Sequence, residues 1–596
     1  MRRRLIIALI VLLFALAGCV HSTGSDNNVT ISEIQGCTHV SPYDGKYVRE
    51  VQGIVTKKTV NGFVIQSSQP DDQTCSSEAI FIFTSNYSNV QSGDMVTVSG
   101  KVQEYFTEGR DAFDLSQTEI ADAKVMITSH SNELPLPVLM GAKGYPFPEK
   151  VIEDDTMEEF DPLNDGLDYF ESLEWMRVKL PEMRVVGPRN SYNEIVAVET
   201  WGDERQRFGY ALIGDSGNLH PEQIMIRLPT SWTRKVNVGD VLEGGIIGIL
   251  DYSYGNYKIE PVNKVNVSQV KDAEKYEFEQ PAGLRIASYN INNFSQLVSS
   301  TKVKTIANQI VYILQCPDLI VFQEVQDDSG EEDDGTIGAD SNLSLLNDEI
   351  LRAGGDDYNY FYVYPENNSS GGVAGGNIRT VFFIRNDSDL KLEQSLEVQE
   401  GFNSIESKED GSITFSPNPM QIGLGLNAFE NVRKPIAGLF HYGKKTVVVI
   451  GVHFVSKGLD TPLYGRLQPK LEPELEKRLE EARFVNQWAE KLLERSPETL
   501  VIIAGDINSG YESEVSDALA GNSFIDTASQ LPAGDRFSIL NDGLAFLFDH
   551  ILVSDSSIGY KTSIFHLNSL FDAESSASDH DPVLIAIDLP GEGLYR

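Results

Sequence analysis

Carboxylates, amides and imidazoles stand at the ends of apolar runs through the last half of the chain. The run 285–289 ends in Asn290, 318–322 in Gln323 and Glu324, and 447–452 in His453. The run 501–505 ends in Asp506, with Asn508 two residues on. Residues two apart on a strand face the same side, so Asp506 and Asn508 can act on one atom. Asp549 and His550 precede one short apolar run, and Asp579, His580 and Asp581 precede another at 583–587. Oxygen donors of this kind suit Mg²⁺, which takes a few protein ligands and leaves the rest to water and substrate phosphate. No Cys or His spacing typical of structural zinc is present. Taken singly, each residue has a plain structural reading. An Asp at a strand end is more often a cap or turn residue, Asn290 can start a turn, and Asp581 before Pro582 does the same. Six such segments within one domain outweigh that reading.

These side chains need strands to carry them and helices to cover the strands. After Gly283, strand-like runs alternate with helical periodicity. Val303, Ile306, Ile310 and Ile313 share one helical face, and 319–322 reads as a buried strand. Residues 474–495 form a long amphipathic helix with Leu475, Leu479, Phe484, Trp488 and Leu492 as its inner face. Runs at 446–450 and 500–503 are further strands. The result is an α/β domain over 281–590, better suited to two packed sheets than to one. Ahead of it, 31–130 and 173–270 alternate short β-like runs with turns, as small barrels or sandwiches do. Gly93-Asp94-Met95-Val96 and Gly239-Asp240-Val241-Leu242 echo each other, which allows two barrels of similar design. Between them, 131–172 is irregular, Pro-containing and acidic, and reads as a linker or a long surface connection. The charged stretch 271–280 is a boundary.

The 596 residues are 41% hydrophobic and 23% charged, which excludes a disordered, collagen-like or polytopic membrane protein. Lys plus Arg number 48 against 88 Asp plus Glu, a net charge of −40. Such a surface repels bare nucleic acid at long range, so a phosphate-handling site here leans on metal ions. Arg2, Arg3 and Arg4 precede an apolar run over 5–17, the length of a signal-peptide core and too short to span a bilayer. Leu16-Ala17-Gly18-Cys19 resembles a bacterial lipobox. It predicts a signal peptide over 1–18, a lipid on Cys19, a tether over 19–30, and a place in the cell envelope facing outward. Val20 follows, so the aspartate associated with inner-membrane retention is absent; the envelope type stays open. Exported chains can form disulfides. Cys37 and Cys75 are the pair in the first module, and their loop is worth roughly 4 kcal/mol in the chain-entropy model. Cys316, in an apolar context, reads as a buried free thiol.

Four motifs carry a resemblance to a known family: Ala287-Ser288-Tyr289-Asn290, Phe322-Gln323-Glu324-Val325, Gly505-Asp506-Ile507-Asn508 and Ser578-Asp579-His580-Asp581-Pro582. In order and separation they resemble the endonuclease/exonuclease/phosphatase superfamily, whose best-known members are DNase I and the abasic-site endonucleases. A narrower resemblance, to large extracellular nucleases with an OB-fold module, is carried by Ile34-Gln35-Gly36, Gly53-Ile54-Val55-Thr56, Leu173-Glu174-Trp175-Met176, Asn431-Val432-Arg433-Lys434-Pro435 and Phe565-His566-Leu567-Asn568. The resemblance implies an α/β catalytic domain of two packed β-sheets flanked by helices, a DNase I-like four-layer sandwich, preceded by two small all-β, OB-like domains. It implies Glu324 as the principal Mg²⁺ ligand, assisted by Asn290 and Asp579, with Mn²⁺ or Ca²⁺ as possible substitutes. Asp506 orients or deprotonates the attacking water, and Asn508 holds the phosphate or that water. His580 contacts a non-bridging oxygen, Asp549 fixes its tautomer, and His453 is the second imidazole. Arg433 and Arg379 are candidate phosphate clamps. His566 reads as a structural loop residue, and Lys457 is ambiguous. The segment 537–543 is looser than the family pattern, and Phe548 replaces the usual Leu. The partners implied are DNA or RNA as substrate and a membrane through Cys19; no protein partner is inferred. Two other readings stay open: a phosphatase or phospholipid phosphodiesterase of the same superfamily, and a non-catalytic binding protein on this fold.

Overall fold

Short β-branched runs broken by Gly and Asn close the first module into a barrel. The structure, a computed structural model, describes residues 29–71, 73–85, 89–109, 112–200, 211–214, 219–269, 283–393, 403–408, 411–555 and 557–589. The signal segment, Cys19 and the boundary at 271–280 lie outside the described residues. Helix α1 (Ile31–Gln35) starts at a capping box, with Thr30 accepting from the Glu33 N–H and Glu33 accepting from the Thr30 N–H. It is followed by β1 (Tyr47–Lys58), β2 (Gly62–Gln66), β3 (Ala79–Phe83), β4 (Met95–Tyr105) and β5 (Gln117–Ser129). They close in the order β1-β2-β3-β5-β4, with β5 parallel to β3. Val51, Val55, Phe63, Ile65, Ile80, Val96 and Val98 fill the barrel. A disulfide joins Cys37 to Cys75.

The second unit contains β6 (Val138–Leu139), α2 (Gly166–Glu171), β7 (Arg177–Lys179), β8 (Met183–Gly187), β9 (Glu194–Glu199), β10 (Leu212–Ile213), β11 (Ile224–Arg227), β12 (Val241–Leu242), β13 (Ile247–Ser253), β14 (Asn256–Pro261) and β15 (Val267–Ser268). Its strands repeat the pairing of the first. β8, β9, β11 and β14 are neighbours in that order, with β14 parallel to β11. β12 pairs with β8 and β13 with β14, so one interrupted strand reaches both ends of the series, as β4 does. The Gly-Asp echo marks one local structure built twice. Gly93 and Gly239 take φ of 90° and 89°. Each donates to the first strand, at Val55 and Val185, and the following Asp carboxylate accepts from the N–H of Gln91 or Asn237. Residues 131–172 correct the linker reading. β6 pairs with β7, and Met140, Phe147, Leu167, Tyr169 and Phe170 enter the second unit's core. Proline and acidic residues mask this segment because its apolar residues follow neither strand nor helix period.

The C-terminal domain begins with β16 (Leu284–Phe294), α3 (Ser300–Asn308), β17 (Leu319–Val325), α4 (Asp340–Arg352), β18 (Tyr358–Phe361), β19 (Arg379–Arg385) and β20 (Leu390–Leu392). Then come β21 (Ser404–Ser407), β22 (Ile413–Ser416), β23 (Met420–Gln421), β24 (Ile436–Tyr442), β25 (Lys445–His453), α5 (Leu475–Arg495), β26 (Leu500–Asp506), α6 (Glu514–Ala520) and β27 (Ile525–Asp526). It ends with β28 (Ile539–Asn541), β29 (Leu544–Phe546), β30 (Asp549–Val553), β31 (Tyr560–Ile564) and β32 (Val583–Ile587). One sheet runs β18-β19-β17-β16-β32-β31, and the other β20-β24-β25-β26-β30-β27. Ile286, Val321, Phe382, Val447, Val449, Ile502 and Ile585 pack between them. The alternate residues Ala287, Ile320, Phe322 and Phe383 face α3 and α4, while Val448, Ile450, Val501 and Ile503 face α5 and α6. Both faces of each sheet are covered, which is why the strands read as continuous apolar runs. The fold is a four-layer DNase I-like sandwich preceded by two all-β units. On α5 the buried stripe is Leu479, Ala482, Val485, Ala489 and Leu492. Phe484 and Trp488, expected at its centre, lie on its flank against Phe429 and Phe415. Among the described residues no helix is long and apolar enough to cross a membrane.

The second unit is welded to the C-terminal domain. β10 pairs in parallel with β29, which pairs with β28. Buried Arg189 grips Asp572 with Nε at 2.8 Å and Nη2 at 2.9 Å. Asp572 also accepts from the Val236 N–H, and the Ala573 N–H donates back to the Arg189 carbonyl. Removing one partner of a buried ion pair strands the other. Arg189→Ala is therefore expected to cost roughly 3–5 kcal/mol in denaturant unfolding, most of it absent when Asp572 is Ala as well.

Candidate active site

Register brings three of the expected residues into line. His453 at the end of β25 sits opposite Asp506 at the end of β26, and Asp506 sits opposite Asp549 at the start of β30. The other sheet supplies Asn290 from β16 and Glu324 from β17. Asn290 Nδ2 bridges the two sheets, donating to Glu324 Oε1 at 3.2 Å and Asp506 Oδ2 at 3.1 Å. Glu324 has a left-handed backbone, φ 59°, at a register break of β17 against β16 and β19. Its Oε2 accepts from the Asn293 N–H at 2.9 Å. A non-glycine residue held in this region is a strained conformation typical of functional sites. Asn508, also left-handed at φ 50°, ties back to Asp506 Oδ1 through its N–H and to the Phe454 carbonyl through Nδ2.

His580 completes the cluster. Its Nδ1 meets Asp549 Oδ2 at 2.6 Å, and its Nε2 lies 3.8 Å from Asp506 Oδ2. His453 Nε2 lies 3.6 Å from Asp506 Oδ2 and 3.9 Å from Glu324 Oε1, while its buried Nδ1 has no partner. Asp579 is exposed beside the cluster and accepts from Asn292 Nδ2 at 2.7 Å.

Electrostatics divide the roles. Burial pushes Asp506 up to about 7, with Asp549 and Glu324 adding to the rise and His580 opposing it. Burial disfavours charge on His580, but Asp549 and Asp506 outweigh it and hold its imidazolium well above the usual range. Burial, then Arg433 and His580, push His453 well below its usual range, so it is a neutral ring.

Arg433 is buried under this cluster, with Nη2 on the Phe454 carbonyl at 2.6 Å and Glu324, Asp506 and Glu481 as its charge partners. Its guanidinium supports the site from below. Arg379 corrects the clamp reading. It bonds the carbonyls of Ile337 and Asn377, packs over Tyr362, and is almost wholly buried. These contacts hold a loop. Lys457 pairs with Glu472 at 2.6 Å, and His566 stacks on Phe537 and meets Asp581 at 3.1 Å.

Several site residues escape a sequence reading. Ser538 donates to Asp549 Oδ2 at 2.7 Å and accepts the Asp549 N–H, so it orients the partner of His580. It lies in the segment noted only for its looseness. Ser578 ties the Asn290 carbonyl to the His580 N–H. Asn292 lies two residues after Asn290, the same spacing that linked Asp506 to Asn508. A cleft of about 770 Å³ opens beside Asn292 and Asp579. One wall is α3 with Lys302, a second is the loop 568–579, and a third is the second β unit with Arg189, Asn190 and Glu194. That contribution has no local sequence signal.

The donor set suits a hard divalent cation. Asp579 is an exposed carboxylate and Glu324 a half-buried one, Asn290 adds an amide, and Asp506 and Asp549 are further acids beside them. This set is sparse. Among the described residues, triads of acidic and histidine ligand atoms within 4.8 Å occur elsewhere, at His39, Glu153 and Asp168 and at Asp161, Asp165 and Asp168. Sparse protein ligation is what Mg²⁺ accepts, because it keeps much of its water.

Residues 287–580 match the model of the Endonuclease/Exonuclease/phosphatase family, and 138–272 match a domain of unknown function. The C-terminal domain thus matches the endonuclease/exonuclease/phosphatase family over nearly its whole length; members of that family are hydrolases of phosphodiesters and phosphate esters. No curated protein matches the sequence. Solved structures similar to this chain include TDP2 of D. rerio complexed with a single strand DNA product, at 15% identity over 52% of this chain and 100% of that one, TM-score 0.34. A family protein of Leptotrichia buccalis is 13% identical over 51% and 100%, TM-score 0.34. A mannosyl-6-phosphatase of Bacteroides thetaiotaomicron is 17% identical over 51% and 100%, TM-score 0.31.

Proposed function

We propose that this protein is a Mg²⁺-dependent nuclease held at the outside of the cell by a lipid on Cys19. The observation that carries the reaction is the convergence of Asn290, Glu324, His453, Asp506, Asn508, Asp549 and His580 on the facing ends of two sheets. Asp506, poised near neutrality, takes the proton of the attacking water. Asn508 keeps a second amide hydrogen for that water or the phosphate. His580, held charged by Asp549, donates to a non-bridging oxygen, and neutral His453 lies on the opposite side of Asp506. Glu324, Asn290 and Asp579 hold the cation. When bound, it screens the phosphate and stabilises charge on the leaving oxygen. Water oxygen bonds to phosphorus, the ester P–O bond breaks, and the electron pair leaves with the alcohol oxygen.

The cleft supports a polymeric substrate over a phospholipid. It opens beside the acid–imidazole cluster and meets it at Asp579, and its walls carry more Ser, Asn, Thr and acidic residues than apolar ones. Its cations are Arg189, already paired, and Lys302, so divalent cations must help admit a polyanion. We read the first barrel, from its strand order, as an OB-type module that presents or spaces the substrate. Purified chain without its signal segment is expected to relax and then degrade supercoiled plasmid with Mg²⁺ and to stop with chelator. Release of headgroups from phospholipid vesicles in place of plasmid cutting selects the phosphodiesterase alternative, and no metal-dependent hydrolysis of either selects the non-catalytic one. Loss of lipid labelling in Cys19→Ser tests the anchor. Glu324→Gln is expected to raise the Mg²⁺ needed for half-maximal rate by about 10–100-fold, read by titrating the metal at fixed substrate.

A further inference from the structure

The acidic segment ahead of α2 holds a carboxylate that capping does not explain. Asp165 stands at the N-cap of α2 with an extended backbone, yet its side chain makes no capping hydrogen bond. The residue is fully buried, 0% exposed, and neither carboxylate oxygen has a hydrogen-bond partner. Buried carboxylates are ordinarily neutralised or bonded. Around it lie more acids instead. Oxygens of Asp161, Asp165 and Asp168 fall within 4.8 Å of one another, and Glu153 Oε2 nearby is also buried without a partner. Asp168, itself fully buried, accepts the Asp161 N–H at 2.7 Å and meets His39 Nε2 at 2.6 Å. Asn164 Nδ2 donates to Asp161 Oδ2 at 2.9 Å. These contacts leave Asp165 facing two like charges.

We propose that Asp161, Asp165 and Asp168 form a Ca²⁺ site distinct from the catalytic metal site. The triad is all oxygen; Asp168 sits in the first turn of α2, and Asp161 and Asp165 precede it on an irregular segment that can adjust to a large, flexible coordination shell. His39 holds Asp168 in place from the neighbouring module rather than ligating the ion, the usual duty of a group bonded to a metal ligand. The ion joins the segment 153–165 to the start of α2, whose Leu167, Tyr169 and Phe170 enter the second unit's core. Through His39, two residues from disulfide-bonded Cys37, it also fastens that unit to the first barrel. The site is structural: it locks the second unit, which walls the cleft, to the first barrel.

The test is calcium titration of the purified chain by calorimetry, with thermal melting alongside and Mg²⁺ as the comparison. Half-saturation is expected at about 10⁻⁴–10⁻³ M, with a rise in melting temperature that Mg²⁺ does not reproduce. Asp165→Asn is expected to lower Ca²⁺ affinity at least about tenfold. Asp161→Asn, at a half-exposed position, gives the same loss if Asp165→Asn fails to fold. Glu324→Gln keeps the Ca²⁺-dependent rise, because its carboxylate belongs to the other site. Wild-type binding retained in both Asp165→Asn and Asp161→Asn overturns the proposal. So does wild-type Ca²⁺ binding that disappears entirely in Glu324→Gln, and so does an absence of Ca²⁺ binding in the unaltered chain.

Discussion

Asp506→Asn lowers phosphodiester hydrolysis by about 10³–10⁴-fold, the scale expected when a positioned general base is lost from a site that keeps its other parts. The amide preserves the shape of a side chain that is 1% exposed and bonded to Asn290 and the Asn508 N–H. The loss is therefore chemical and appears in kcat with little change in KM. The wild-type rate climbs as Asp506 deprotonates near pH 7 in weak metal, and the limb moves to lower pH as Mg²⁺ adds positive charge beside Glu324. Stability carries the same signature. Folding raises this carboxyl from an ordinary 3.8 to about 7, so the folded chain binds the proton more tightly than the unfolded chain. That contribution is complete below pH 3.8 and is lost as pH rises to about 7. Wild-type melting temperature should therefore fall more between pH 4 and 8 than that of Asp506→Asn. Equal activity of the two proteins on plasmid and on a chromogenic phosphodiester removes Asp506 from the mechanism.

His580→Ala and Asp549→Asn each reduce kcat by about 10²–10⁴-fold, and the double variant is no worse than the poorer single one. The two act as a unit, since Asp549 holds the ring through a 2.6 Å contact and sustains its charge. Ser538 donates to Asp549 and accepts its N–H, so Ser538→Ala gives a smaller loss of the same kind. The readout that separates chemistry from folding is the alkaline limb of the rate profile. Imidazolium is the active form, and weakening Asp549 moves its loss to lower pH. Multiplicative losses in the double variant, with an unshifted limb in Asp549→Asn, contradict a coupled pair.

The side chains of the candidate site were legible because each closes or precedes an apolar strand, and a polar side chain placed beside a buried run has few structural reasons to be there. His453, Asp506 and Asp549 needed only the strand register to become neighbours. The arginines were not legible in the same way. Arg379 and Arg433 both follow polar segments, but one guanidinium ties loop carbonyls and the other lies beneath the acids. Guanidinium chemistry is equally suited to carbonyls and to phosphate, so only placement distinguishes them. The α5 face was misjudged by size: Phe484 and Trp488 are large enough to reach the core from its flank, leaving the centre to Ala482, Val485 and Ala489.

Residue types and their period-two or helical spacing pointed, with no structure, to an α/β C-terminal domain, to barrel-like modules ahead of it and to the chemical identity of the donors; the domain's length and the family resemblance, not the spacing, favoured two sheets. Tertiary structure alone decided that β10 joins β29, that Arg189 reaches Asp572, and that the second β unit walls the cleft. Periodicity reports which face of an element is buried. It carries no record of which distant surface does the burying, because that choice is made by shape and charge between residues hundreds of positions apart.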